Sequence, residues 1–70
     1  SSLASQVALT EREMEILTLI GAGRTNQEIA AELVVAHSTV KWYVNSLYRK
    51  LGAKSRVQAL KKARELGLIG

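Results

Sequence analysis

The chain reads as an all-α, compact four-helix domain, and three observations lead there. Thr10–Glu13, Thr25–Glu28 and Ser55–Gln58 each follow a Thr/Ser-x-x-Glu/Gln pattern just ahead of a run with helical apolar spacing. In such a capping box the hydroxyl accepts the amide of the third helical residue while the Glu or Gln reaches back to the amide of the cap. There is no proline, and the glycines fall near the ends of the periodic runs, where a chain leaves a helix. Finally, 70 residues without Cys or Phe allow one small core of Leu, Ile, Val, Ala and a few aromatics, burying roughly 60% of the unfolded surface.

Residues 1–8 open with SSLASQV, small, polar and aperiodic, and are expected to be a linker or disordered tail; residues 9–70 are the domain. The first helix is expected at about 11–22, capped by Thr10, with Met14, Leu17 and Ile20 on one face and Gly21 and Gly23 ending it. The second, about 26–33, starts at Thr25 and turns Ile29, Ala30 and Leu33 inward. The third, about 38–50, ends where Gly52 can take the left-handed conformation. The fourth, about 56–66, starts at Ser55, covers the core with Ala59, Leu60, Ala63 and Leu66, and stops at Gly67, with Leu68 and Ile69 folding back. Two positions break the pattern. Ala36 has no hydroxyl to cap the third helix, a loss of about 0.5–2 kcal/mol unless Ser38 takes over. Val34 stands where a turn between two such helices usually has a left-handed Gly, and a β-branched residue resists that conformation, so the turn is expected to be longer or differently built.

Steps of 100° along the third helix put Val44, Leu47 and Leu51 within roughly 40° of Val40, an apolar stripe with Tyr43 at its edge. Ser38, Trp42, Asn45 and Arg49 fall on the opposite side, flanked by Lys41 on one edge and by Thr39 and Ser46 on the other. A Trp at the centre of a polar face needs a cover. A DNA groove would give it one, since the ring can meet a thymine methyl while Lys, Arg and Asn reach purine edges. A neighbouring domain packed on Trp42 is the other reading. A short helix bracing a longer one with such a face is the plan of a helix-turn-helix.

Charge is unevenly placed. Residues 1–33 hold two basic and five acidic residues, net −3, and residues 34–70 hold eight and one, net +7. A basic half suits a polyanion partner, against the plainer reading of a solvated surface. Membrane binding needs large apolar residues opposite the cations and free to insert, and here those are needed for the core. Thr25, Asn26 and Gln27 at one helix start, and Lys54, Ser55 and Arg56 at another, offer free amides and a favourable dipole to phosphate. Arg49 and Lys50 add a basic helix end, and Thr25, Asn26, Ser38, Lys50, Lys54 and Arg56 are expected to contact phosphate.

Along the chain run Leu9-Thr10-x-Arg12-Glu13-x-Glu15-Ile16-Leu17, then Thr25-Asn26-Gln27-Glu28-Ile29-Ala30, Ser38-Thr39-Val40-Lys41, Lys50-Leu51-Gly52-Ala53 and Arg56-x-x-Ala59. In this order they resemble the C-terminal DNA-binding domain of LuxR/FixJ-type bacterial transcription regulators over nearly the whole of Leu9–Ile69. Trp42 after STVK, Leu47-Tyr48 and the ending ARELGLI look most like the MalT-type subgroup of large ATP-dependent activators. The resemblance implies that the third helix enters the major groove with Lys41, Trp42 and Asn45 facing bases. It also places Thr25, Asn26, Thr39, Lys54 and Arg56 near phosphates and makes the fourth helix a dimer contact. The chain departs from many members at Ala36, where a Ser or Thr cap is common, at Tyr43, a frequent His, and at Asn45, often Lys or Arg. Asn45 therefore favours adenine over guanine.

The expected function is sequence-specific double-stranded DNA binding as the output domain of a bacterial transcription regulator in the cytoplasm. Lys41, Trp42, Asn45 and Arg49 are the expected base readers. A sigma-factor-like helical module that touches RNA polymerase is the alternative, since such a domain opens with similar LTxRE and EIA segments. Catalysis is not expected: there is no Asp or Cys, His37 is the only His, and the Glu residues read as solvated helix faces. No metal or other cofactor is expected, and His37 reads as a surface residue near phosphate. Besides DNA, the expected partners are a second copy, weakly, through the fourth helix or on DNA, and RNA polymerase, with no membrane.

Overall fold

The computed structural model describes residues 8–70 and holds four helices, α1 (Glu11–Gly21), α2 (Asn26–Leu33), α3 (His37–Leu51) and α4 (Arg56–Glu65). The first seven residues of the expected linker lie outside the described part. The capping boxes at Thr10 and Thr25 form in full, each hydroxyl accepting the amide three residues on and each Glu accepting the cap's amide. The third box is only half made. Ser55 accepts the Gln58 amide at 3.2 Å, but the Gln58 side chain accepts from Lys54 N, one residue before the cap, at 2.9 Å. Gly52 ends α3 in the left-handed region at φ 67°, as its place in the sequence suggested.

The turn between α2 and α3 corrects two expectations. Val34 does adopt the left-handed conformation, φ 56° and ψ 51°, and the turn is neither longer nor differently built. The backbone bonds Val34 N to Ala31 O at 3.3 Å and Val35 N to Ala30 O at 3.0 Å hold it there. They satisfy carbonyls that the helix end would otherwise leave unpaired. Nor does Ser38 replace the missing cap: α3 begins at His37, one residue earlier than expected, with Ala36 at the cap and no side-chain bond to it.

α1 and α3 form the centre. Each touches the other and both α2 and α4, while α2 and α4 lie on opposite flanks and do not meet. The core is Ile16, Leu17 and Ile20 from α1, Ile29 and Ala30 from α2, Val40, Val44, Leu47 and Leu51 from α3, and Ala59 and Ala63 from α4. Met14, Leu33, Leu60 and Leu66, expected inside, are half-buried at its edge, and Ile16, which the expected stripe of α1 left out, is fully buried. The buried residues of α1 form a single stripe of Glu13, Ile16, Leu17 and Ile20 with Met14 at its edge, so the expected stripe was turned too far towards Met14. After Gly67, Leu68 donates its amide to Ala63 O at 2.9 Å, and Ile69 folds back against the core.

Candidate nucleic-acid interface

Four buried side chains anchor α3, so its other side is left to solvent. Lys41, Trp42, Asn45 and Arg49 are all exposed there, Trp42 to 65%. The indole is not loose. Its ring meets that of Tyr43 edge-to-face, with centroids 5.0 Å apart and planes at 83°, a geometry worth about 0.5–1.5 kcal/mol beyond area burial. Half-buried Tyr43 thus has a partner that sequence reasoning did not find: at the edge of the stripe, it holds the Trp on the outer face.

At the start of α3, Ser38 is exposed and Thr39 half-buried, beside amides that no side chain caps. Thr25 is exposed and Asn26 half-buried at the start of α2, and Lys54 is exposed ahead of α4. Lys50 and Arg56 differ from these because the fold uses both. The Lys50 ammonium donates to Glu13 Oε1 at 2.7 Å and to Ala8 O at 2.9 Å. The Arg56 guanidinium donates to Ile20 O at 3.1 Å and to Arg24 O, tying α4 to the end of α1 and the loop before α2.

Glu13 corrects the reading of the acidic residues as solvated faces, for it is 2% exposed. Its Oε1 accepts from Thr10 N at 2.9 Å as well as from Lys50, and its Oε2 accepts from Ser46 Oγ at 2.7 Å. Burial raises its pKa. The hydrogen bonds from Lys50, Thr10 and Ser46 and the Lys50 charge outweigh that, bringing it from the ordinary 4.5 down to about 2. The carboxylate is therefore a charged joint between α1 and α3. Ser46 and Lys50, four residues apart, share the flank of α3 that faces away from Lys41, but nothing in the sequence placed Glu13 beside them.

Among the described residues no group of three or more His, Cys, Asp or Glu side chains is placed to hold a metal ion. None of the helices is long and apolar enough to cross a membrane.

The sequence matches the family model of bacterial regulatory proteins, luxR family, over residues 7–63. The chain belongs to the luxR family of bacterial regulatory proteins. Among its luxR-family relatives is the HTH-type transcriptional regulator MalT of Serratia proteamaculans (strain 568), 45% identical over 58 residues, 83% of this chain. The chain spans 6% of that relative's length. A similar solved structure is that of the response regulator ChrA in a heme-sensing two-component system. It superposes with a TM-score of 0.85 at 40% identity, covering 89% of this chain and 31% of that one. The four helices are thus a luxR-family helix-turn-helix, a DNA-binding domain of a transcription regulator, and the resemblance read from the sequence holds at the level of family and fold.

Proposed function

We propose that α3 lies in the major groove of double-stranded DNA and reads sequence through Lys41, Trp42, Asn45 and Arg49. The observation that carries this is Trp42, which stays 65% exposed among three polar or cationic neighbours while the other side of α3 is sealed in the core. Asn45 suits a bidentate contact to adenine, Lys41 and Arg49 suit guanine O6 and N7, and the indole suits a thymine methyl. Thr25, Asn26, Ser38, Thr39 and Lys54 contact phosphates on either side of the groove, fixing register without reading sequence. Lys50 and Arg56 act first as ties within the fold and add positive potential beside the phosphates.

In this reading residues 9–70 are the output unit of a longer, cytoplasmic regulator and residues 1–8 its linker. The unit itself performs no catalysis. Weak pairing of two copies and contact with RNA polymerase belong to the same proposal, the latter suited to the acidic outer side of α1. Enrichment of bound duplexes from a random library tests the proposal. One shared motif should emerge, and Trp42→Ala and Asn45→Ala should each degrade it at particular base pairs. Recovery of no motif, or of an unchanged motif with both variants, contradicts the groove assignment.

A further inference from the structure

Trp42 and Tyr43 are consecutive in α3, and a helix does not bring such neighbours together by its spacing. Side chains one residue apart leave the axis about 100° apart and do not ordinarily face each other. Here the two rings meet edge-to-face with centroids 5.0 Å apart, so the side chains lean across that angle towards one another. They are not equal partners. Tyr43 is half-buried and packs against the core, whereas Trp42 is 65% exposed and has little packing of its own. The ring held by the fold is therefore that of Tyr43, and the indole takes its orientation from it. Steps of 100° put Tyr43 on the flank of α3 shared with Ser46 and Lys50, away from Lys41. The contact draws the indole towards that flank and leaves exposed Lys41 and Asn45 uncovered on the other side.

We propose that Tyr43 is a positioning residue that determines DNA sequence preference through Trp42, without touching a base itself. The inference rests on the reading of Trp42 as a base reader and names what aims it. An exposed indole has several staggered rotamers open to it, and only an arrangement that meets one base pair reads that base pair. Apparent affinity falls with the fraction of molecules in the competent arrangement. An edge-to-face pair shifts that population roughly two- to tenfold. Specificity at one part of the site is thus carried from the core to the reading face by a single contact. A Tyr43 that merely filled the edge of the core would instead affect stability, and binding to every duplex alike.

The test compares Tyr43→Leu, Tyr43→Phe and Trp42→Ala by enrichment of duplexes from a random library and by near-ultraviolet circular dichroism of the free proteins. Trp42 is the only tryptophan, so the indole band reports the setting of that side chain alone. Tyr43→Leu should lose much of the indole band and weaken the preference at the same base pairs as Trp42→Ala. Its affinity for the enriched duplex should fall roughly two- to tenfold, with affinity for unrelated duplexes unchanged. Tyr43→Phe keeps the ring and should match the wild type in both measurements. Tyr43→Gln, a straight-chain helix former, replaces Tyr43→Leu if thermal unfolding shows the latter to be unfolded. A Tyr43→Leu protein that keeps the wild-type indole band overturns the proposal, and so does a loss spread evenly over every base pair. If Trp42→Ala alters the motif and Tyr43→Leu does not, this inference alone falls. If Trp42→Ala leaves the motif unchanged, the base-reading assignment of Trp42 falls and this inference with it.

Discussion

Trp42 concentrates the functional argument, because a large ring 65% exposed on a folded surface is costly unless a partner covers it. Trp42→Ala, Lys41→Ala and Asn45→Ala should each cost about 1–3 kcal/mol of specific DNA affinity with little loss of stability, read by fluorescence anisotropy beside thermal unfolding. Equal affinity in all three variants would show that this face does not meet the bases. Lys54 should behave differently. Its removal should weaken binding to every duplex alike and flatten the salt dependence by about one unit of slope. Arg56 differs again, because its guanidinium spans the carbonyls of Ile20 and Arg24. Arg56→Ala should lower unfolding stability by about 1–3 kcal/mol, and a wild-type melting curve would show that these bonds contribute nothing. Positions such as Trp42 and Asn45 were legible in the sequence because helical spacing alone puts them opposite Val40 and Val44. The engagement of Lys50 and Arg56 was not legible, since their partners lie 37 and 36 residues away in the chain.

Helix starts were the most readable elements, because each capping box is a local rule carried within four residues. The turn before α3 was the least readable. Local preference argues against a left-handed valine, yet the bonds from Val34 and Val35 to Ala31 and Ala30 impose it. A left-handed conformation costs an L-residue about 1–2 kcal/mol, and Val34 is 88% exposed, so little packing offsets that. Val34→Gly should therefore stabilise the domain by about 0.5–1 kcal/mol after allowing for the extra entropy of unfolded glycine. A lower denaturation midpoint in that variant would mean that the Val34 side chain contributes something its exposure does not suggest. The joint between α1 and α3 was hidden for another reason. Glu13 is the Glu of a capping box, and such a Glu usually faces water, so nothing nearby in sequence announced that Ser46 and Lys50 also reach it. Its folded pKa lies below its unfolded one, so its stabilisation is complete above about pH 4.5 and is lost as pH falls towards about 2. That contribution is on the order of 3 kcal/mol. Glu28, held low first by the Thr25 amide, acts in the same direction. Urea midpoints of the wild type and Glu13→Gln should differ at pH 7 and converge towards pH 2, whereas a constant gap would mean that the charge of Glu13 does not matter.

Across the domain, the uneven charge seen along the chain becomes a division of labour between helices. α1 and α2 carry five of the six acidic residues, while α3, α4 and the loop between them carry eight of the ten basic ones. The four-helix plan was readable because small helical domains are governed by local signals and one apolar stripe per helix, and the family was readable from the resemblance of the motifs between Leu9 and Ala59. The cross-chain joints were not, because they depend on which flank each helix presents once packed. In the proposed reading the basic half gives α3 and α4 the field that draws in a duplex, and the face of α3 decides where on the duplex the domain settles. An amide titration of the 70-residue chain with a short DNA duplex tests that claim most directly. Shifts concentrated at residues 25–27, 38–50 and 54–56 are the predicted result. Shifts confined to residues 11–22, with α3 unmoved, would contradict it.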